Sequence, residues 1–320
     1  MEISDQSVLR EAILIILYSA FSEGKMMVGR DQICESLKIT EDEAIKLLND
    51  LNRPKLWEAM TNDSYHILPG GVIFVEQNKL VPSSMIGRND DIRIKMLEEA
   101  AKIYHATGPL NGIYIQAYAK ESNTDINVLL RNFELLIYLH LVTSNYIIGD
   151  VEITELGLTS LEELHLRREL FAEFRSISEM EPHRRGKELE QFLEKLMLHE
   201  GWTVEKGVKT SNEEIDLVIY RNQSFYLVEC KWEKDPIEAK EIGAFFAKLD
   251  KRDGVMGIVF SMSGFTKGAK EEALSHLGEK RILLFGPSDL ERLIGEDGNL
   301  EKLIKEKTTK LVINREILVT

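Results

Sequence analysis

The segment from Glu213 to Trp232 constrains the fold of this chain most strongly, because it predicts a β-hairpin with charged residues inside it. Ile215–Tyr220 and Phe225–Trp232 are rich in β-branched and aromatic residues, which favour strands. The four polar residues 221–224 between them are typical of a turn. The pattern therefore predicts two antiparallel strands.

Three ionisable side chains, Asp216, Glu229 and Lys231, lie in these otherwise apolar strands. Glu229 and Lys231 are two positions apart and share one face of a strand, whereas Cys230 faces the other way. A carboxylate that is removed from water needs an ion pair or a metal. Two interpretations are open at this point: a half-buried salt-bridge cluster, or a site where two carboxylates bind a hard cation beside a lysine.

A helix is predicted upstream, from about Gly186 to His199, and a strand begins near Trp202. Apolar residues recur at helical spacing in this segment and define its buried stripe: Leu189, Phe192, Leu193, Leu196 and Met197. Glu190 lies next to that stripe. A further helix is predicted from about Ile237, so the hairpin has a helix on either side of it in the sequence.

This arrangement resembles the PD-(D/E)xK nuclease superfamily, and most closely its Mrr-like restriction endonuclease branch. The motifs that carry the resemblance are Arg185–Glu190, Glu214–Val218, Glu229–Lys231, Gly257–Ser261 and Gly264–Ala269. They span about residues 184–284, under half of the chain. The chain departs from many Mrr-like domains, which carry Gln-x-Lys and a Gly-Gly pair where this sequence has Glu229 and Glu213-Glu214.

The resemblance implies a nuclease that cleaves DNA phosphodiester bonds with a divalent cation, Mg²⁺ or Mn²⁺, in restriction or defence against foreign DNA. Asp216, Glu229 and the backbone carbonyl of Cys230 would ligate the cation, and Glu190 would bind a second ion or hold a metal-bound water. Lys231 would orient the attacking water or help to deprotonate it, and would stabilise the transition state. The predicted fold is an α/β restriction-endonuclease-like domain with a central mixed sheet.

Three basic residues are candidates for DNA binding. Arg184 and Arg185 lie just before the predicted upstream helix and could contact a phosphate, although a short basic run is more often a solvated helix start. Lys248 lies at a position from which several nucleases of the superfamily reach the site, whereas the simpler expectation is an exposed surface lysine.

The N-terminal half predicts two winged-helix modules, which are mostly α-helical. Three helices, a short strand and a glycine-containing turn occur before Gly71 and again before Gly157, and a set of apolar residues repeats at an offset of 85. The expected domains are two winged helices (1–80 and 81–160), a helical connector (161–183) and the nuclease domain (184–320). Residues 310–318 are expected to be extended.

Charge is distributed unevenly over a chain of 320 residues with a net charge of −14. Residues 1–182 carry 17 Lys and Arg against 29 Asp and Glu, whereas the remainder carries 23 against 25. Because phosphate contacts dominate DNA affinity, this imbalance favours a protein partner or a regulatory role for the N-terminal half over DNA reading. DNA is the expected partner of the nuclease half, and a homodimer is expected, with the acidic N-terminal half supplying the dimer contact or a regulatory contact.

Two rival functions remain open: an adaptor with a retired nuclease fold, and a transcriptional regulator that reads DNA through the winged helices. The full set of Glu190, Asp216, Glu229 and Lys231 is evidence against the first, and the acidity of the N-terminal half is evidence against the second. The two cysteines, Cys34 and Cys230, lack metal-ligand spacing and favour a reducing compartment. Together with an N-terminal apolar run that lacks a basic flank, they predict a cytoplasmic protein without a membrane span.

Overall fold

The computed structural model describes residues 3–109, 111–145, 150–210, 213–295 and 298–317. The chain divides into two compact units, Met1–Glu163 and Leu164–Thr320. None of the helices in the described ranges is long and apolar enough to cross a membrane.

The first unit consists of two modules that have the same order of elements. The first module contains α1 (Ile3–Ser22), β1 (Val28–Gly29), α2 (Arg30–Leu37), α3 (Glu41–Asp50), β2 (Trp57–Thr61), β3 (Ser64–Ile67) and α4 (Pro69–Gln77). The second contains α5 (Ser83–Thr107), β4 (Ile113–Tyr114), α6 (Ile115–Glu121), α7 (Ile126–Tyr138), β5 (Val142–Asn145) and β6 (Asp150–Ile153), and α8 (Glu155–Ser178) follows. Each module has a three-stranded antiparallel sheet, in the orders β1-β3-β2 and β4-β6-β5.

The internal repeat is visible in one close backbone contact that occurs in both modules. A Cβ atom on Gly71 would lie 2.3 Å from the carbonyl oxygen of Leu56, and one on Gly157 would lie 2.0 Å from that of Leu141. No side chain fits at that distance from a carbonyl, so both positions require glycine. Leu56 and Leu141 are one of the residue pairs that repeat at the offset of 85.

Helix α7 is buried on two faces. Leu129, Phe133 and Leu136 pack in the core of the second module. Leu135 instead belongs to the core of the first module. A Cβ on Gly24 would lie 2.8 Å from Val128 Cγ2, which shows how closely the first module approaches this helix.

A buried polar network also joins the two modules. Arg93 of α5 is paired with Glu76 of α4 at 3.0 Å, and the Tyr18 hydroxyl of α1 donates to the same carboxylate at 2.7 Å. Asn89 of α5 donates to the Tyr18 oxygen at 3.1 Å and accepts from Asn132 of α7 at 3.5 Å. Because buried polar groups need these partners, the network favours one packing of the modules.

The second unit is built around a mixed five-stranded sheet in the order β11-β10-β9-β8-β7. Its elements are α9 (Pro182–His199), β7 (Thr203–Thr210), β8 (Glu213–Arg221), β9 (Ser224–Lys231), α10 (Ala239–Asp250), β10 (Val255–Ser261), α11 (Lys267–Ser275), β11 (Ile282–Phe285), α12 (Pro287–Ile294) and α13 (Leu300–Thr309). β7, β8 and β9 are antiparallel, and β9, β10 and β11 are parallel. The predicted mixed sheet is therefore confirmed.

Helices cover both faces of this sheet. On one face, Leu217 and Val228 pack with residues of α9, including Phe192. On the other face, Leu227 and Val259 pack with residues of α10 and α11. Alternate residues of the hairpin thus contribute to two different cores, as the period of a strand requires. The face toward α10 is also the face of Glu229 and Lys231.

The prediction of an extended segment at residues 310–318 is wrong over its first part. Lys310–Asn314 is a turn of π-helix that continues from α13, and position 318 lies outside the described residues. The β-branched residues of this turn, Val312 and Ile313, are both exposed. The buried stripe of α13 decides the conformation, because Leu303, Ile304 and Leu311 continue it at helical spacing.

Candidate active site

The candidate site lies where the ladder between β8 and β9 stops. Backbone pairing runs from Arg221–Ser224 to Leu217–Val228, so Asp216 and Glu229 are the next residues on the two strands. There the Cys230 N–H donates to Asp216 Oδ2 at 2.7 Å instead of to a backbone carbonyl. β9 remains paired with β10 as far as Lys231–Ser261, so the strand that carries the Glu-x-Lys residues is held on its other edge.

Glu229 is held between two lysines. Lys231 Nζ lies 3.1 Å from Glu229 Oε1, and Lys248 Nζ lies 2.7 Å from Glu229 Oε2. The carboxylate side chain is only 13% exposed, so solvent screens these pairs less than it would at the surface. The expectation of an exposed surface lysine at position 248 is wrong, because α10 carries Lys248 across the sheet to Glu229.

The electrostatics show crowded negative charge around this cluster. Burial and the charge of Glu229 raise the pKa of Asp216 above its ordinary value. Burial and the charge of Asp216 likewise raise the pKa of Glu190, which α9 places close enough to interact with it. Burial alone would lower the pKa of Lys231, but the carboxylates of Glu229 and Asp216 outweigh that effect and raise it. Lys231 is therefore held as a charged ammonium.

Cys230 lies on the opposite face of β9 and is buried in the core against α9. Burial raises the pKa of its thiol well above the ordinary value, so the thiol is kept neutral. Its backbone N–H is used by Asp216. The role of its backbone carbonyl as a metal ligand stays a prediction.

The two arginines of the basic run lie in the first turn of α9 and differ in their contacts. Arg184 is exposed. The Nε–H of Arg185 donates to the carbonyl oxygen of Met180 at 2.6 Å, and its guanidinium lies 5.9 Å from the ring centre of Trp232. Arg185 is thus engaged within the domain beside the end of β9, whereas Arg184 is available at the surface.

The donor chemistry of the site fits a hard divalent cation. Asp216 and Glu229 supply carboxylate oxygens, and burial together with the charge of Glu229 raises the pKa of Asp216, an effect that a bound cation would offset. Within the described residues, no group of three or more His, Cys, Asp and Glu side chains is arranged to hold a metal ion. That finding is compatible with Mg²⁺, which is commonly bound through one or two carboxylates, water and substrate phosphates.

A pocket of about 130 Å³ opens beside this cluster. Glu229, Lys231 and Lys248 line it together with Glu241 and apolar residues of α10 and β10. Two lysines and two carboxylates, those of Glu229 and Glu241, therefore lie at the wall of one cavity. Sequence reasoning did not find this cavity, because the residues that line it come from three separate elements.

Comparison with protein families matches part of the second unit. Residues 180–294 match the model of the Mrr_cat family, which is described as restriction endonuclease. The match covers well under half of the chain and includes Glu190, Asp216, Glu229 and Lys231. It confirms the predicted resemblance over this segment and supports a nuclease domain of the restriction endonuclease kind. A comparison with curated proteins finds no match.

Distant likenesses to solved structures were also found. A protein of unknown function designated AF1548 is 23% identical with a TM-score of 0.27, and the match covers 38% of this chain and 65% of that chain, just under two thirds of its length. Restriction endonuclease FokI bound to DNA is 10% identical with a TM-score of 0.32, covering 93% of this chain and 71% of that one. A second FokI structure is 11% identical with a TM-score of 0.31, and the match covers 93% of this chain and 72% of that one.

Proposed function

We propose that the C-terminal domain is a divalent-metal-dependent endodeoxyribonuclease that hydrolyses DNA phosphodiester bonds. The observation that carries this proposal is the placement of Asp216, Glu229 and Lys231 together where β8 and β9 part, inside the segment that matches the restriction endonuclease family. The resemblance stated above points to restriction or defence against foreign DNA as the biological role.

Each residue of the cluster has a proposed role. Asp216 and Glu229, with the backbone carbonyl of Cys230, would hold Mg²⁺ or Mn²⁺. The bound ion supplies positive charge to the phosphate and lowers the pKa of a water molecule. Glu190 would accept a hydrogen bond from a water in the site or contact a second ion, since its carboxylate lies within the electrostatic reach of Asp216.

The role of Lys231 is best described as electrostatic. The charges of Glu229 and Asp216 raise its pKa, and its ammonium is paired with Glu229 at 3.1 Å. A charged ammonium in this position can orient the attacking water and stabilise negative charge that develops on the phosphoryl oxygens. We propose orientation of the water and charge stabilisation as the roles of Lys231, supported by its contact with Glu229.

The two N-terminal modules are proposed to be winged helices. Each has the order helix, strand, helix, helix and two strands, which is the arrangement of a helix-turn-helix with a β-wing. In such a module the third helix, here α3 or α7, is the one that enters the major groove of DNA.

Neither third helix is suited to that role. α7 is enclosed between the cores of the two modules, and its one arginine, Arg131, is buried and paired with Glu134 at 2.8 Å. α3 is accessible, but its first turn presents Glu41, Asp42 and Glu43. Recognition of DNA depends on Arg and Lys at such surfaces. We therefore assign the N-terminal unit to a protein partner or to regulation.

A homodimer is proposed for double-strand cleavage. One cluster of Asp216, Glu229 and Lys231 serves one strand, so two strands require two clusters, which a two-fold dimer supplies most simply. A mass equal to two chains in light scattering at micromolar concentration would support this assembly, and a mass of one chain would contradict it.

Plasmid cleavage tests the proposed function. Supercoiled DNA incubated with the purified full chain should be nicked or linearised in Mg²⁺ or Mn²⁺ and should remain intact in EDTA. Linear, methylated and branched DNA should be included, because the sequence does not fix the substrate structure. A protein that is inert on all of these substrates with both ions would favour the adaptor interpretation.

A further inference from the structure

Lys248 contacts both strands of the hairpin at the position where their own pairing has ended. Its ammonium donates to the carbonyl oxygen of Glu214 on β8 at 2.9 Å and to Glu229 Oε2 on β9 at 2.7 Å. Backbone pairing of the two strands stops at Leu217–Val228. The lysine therefore bridges the two strands beyond the end of their backbone pairing.

The surrounding structure holds Lys248 in this place. Gly257 on β10 allows α10 to approach the sheet, since a Cβ there would lie 2.6 Å from both Phe245 and Leu249. After the helix, Arg252 is paired with Glu213 at 2.6 Å, which fixes the end of α10 to the start of β8. The Lys248 side chain is 23% exposed, so the ammonium is neither a free surface charge nor fully enclosed.

We propose that Lys248 is an internal counter-ion for Glu229 that competes with the divalent cation for this carboxylate. This inference rests on the proposed function, in which Glu229 is a metal ligand. Each oxygen of Glu229 already accepts from one ammonium, so a divalent cation must either bind beside that positive charge at the remaining lone pair or displace the lysine. Hydrogen bonds between charged groups are the stronger ones, so the displacement has a measurable cost.

Lys231 and Lys248 differ in the hydrogen-bond partner that each retains when a cation displaces it from Glu229. Lys248 retains the Glu214 carbonyl as an acceptor and stays at the wall of the pocket. The competition therefore adjusts cation affinity without removing positive charge from the site. At low cation concentration Glu229 is paired with lysine, and the negative charge of the cluster is partly neutralised.

Titration calorimetry of the full chain with Mn²⁺, in the absence of DNA, tests this inference. Lys248→Met should bind Mn²⁺ about tenfold more tightly than wild type, since it removes one charge-assisted hydrogen bond. Lys248→Arg retains the charge and should bind like wild type. Lys251→Met is the matched control, because Lys251 pairs with Glu213 rather than Glu229. Lys248→Gln, neutral but able to donate, gives the same direction of change if the methionine disturbs folding.

The outcomes separate the two proposals. Tighter binding by the Met and Gln variants, with the Arg variant and the Lys251→Met control unchanged, supports the competition. If wild type binds Mn²⁺ and both neutral variants bind it equally well or more weakly, the competition is contradicted. The proposed metal site is not affected by that result. Absence of Mn²⁺ binding in wild type and in every variant contradicts the metal site and the competition together.

Discussion

The backbone N–H of Cys230 donates to the carboxylate of Asp216 at 2.7 Å, in place of a rung in the ladder between β8 and β9. This contact fixes a negative charge in a partly buried position next to Glu229. Asp216 and Glu229 thus lie just beyond the last backbone pair of the hairpin, Leu217–Val228. The contact thus connects the end of the hairpin pairing to the chemistry of the site.

Asp216→Asn should abolish cleavage and stabilise the fold at neutral pH. The pKa of Asp216 is raised, so deprotonation is less favourable in the folded chain than in the unfolded one. Stability from this group is therefore present at acid pH and is lost as the pH rises through the folded pKa. The asparagine oxygen can still accept from Cys230.

Thermal unfolding without divalent ions measures this effect. The variant should melt at a higher temperature than wild type at pH 7, and the difference should shrink towards pH 4, close to the ordinary Asp pKa of about 3.9. A lower melting temperature at pH 7 would show that the Asp216 carboxylate stabilises the fold through an ion pair.

Glu190→Gln should lower cleavage by roughly ten- to a hundred-fold and leave the fold intact, as is typical of groups that support a metal site from outside its first ligands. The side chain lies on α9 and is only partly buried, so the amide can replace it without a cavity. Glu194→Gln is a matched control on the same helix, since Glu194 pairs with Lys206 at 2.9 Å. Equal losses in both variants would argue against a specific role for Glu190.

Arg93→Met should destabilise both N-terminal modules together. The change leaves Glu76 with the Tyr18 hydroxyl but without its arginine, and loss of one partner of a buried pair costs about 3–5 kcal/mol. Because the network and Leu135 join the modules, chemical denaturation followed by hydrogen exchange should show amides of α1 and α7 losing protection in parallel. Loss of protection in α5 and α7 alone would mean that the modules are independent.

Residues 164–320 should bind DNA at least as tightly as the full chain. Residues 1–163 carry 14 Lys and Arg against 25 Asp and Glu, a net charge of −11, so their removal reduces repulsion of a polyanion. The gain should shrink as salt rises, because the Debye length is about 8 Å at 0.15 M ionic strength. Fluorescence anisotropy in Ca²⁺ provides the comparison. Tighter binding by the full chain with a steeper salt dependence would show that the N-terminal modules contact phosphates.

Local features of the chain could be predicted from sequence. Thr40 and Glu43 have the spacing of a capping box, and the Thr40 N–H donates to the Glu43 carboxylate at 2.9 Å at the start of α3. The hairpin and the common face of Glu229 and Lys231 also follow from the period of a strand. These features depend on residues that are close in sequence, so the amino-acid pattern is sufficient to specify them.

Contacts between distant segments could not be predicted in the same way. The contact of Lys248 with Glu229 depends on how closely α10 packs on the sheet, and hence on Gly257. The sequence also did not predict that the first module covers a second face of α7. A helix with apolar residues on two sides has the same sequence pattern whichever neighbouring element covers it. Such contacts are set by tertiary packing, which periodicity alone does not specify.

Lys231→Met, compared with Lys251→Met, tests the central claim most directly. Both changes remove one ammonium from the same domain, but only Lys231 contacts Glu229, while Lys251 contacts Glu213. Initial rates of supercoiled plasmid cleavage in Mg²⁺ should fall roughly a hundred- to a thousand-fold for Lys231→Met and stay near wild type for Lys251→Met. Equal rates for Lys231→Met and wild type would contradict the assignment of this cluster as the active site.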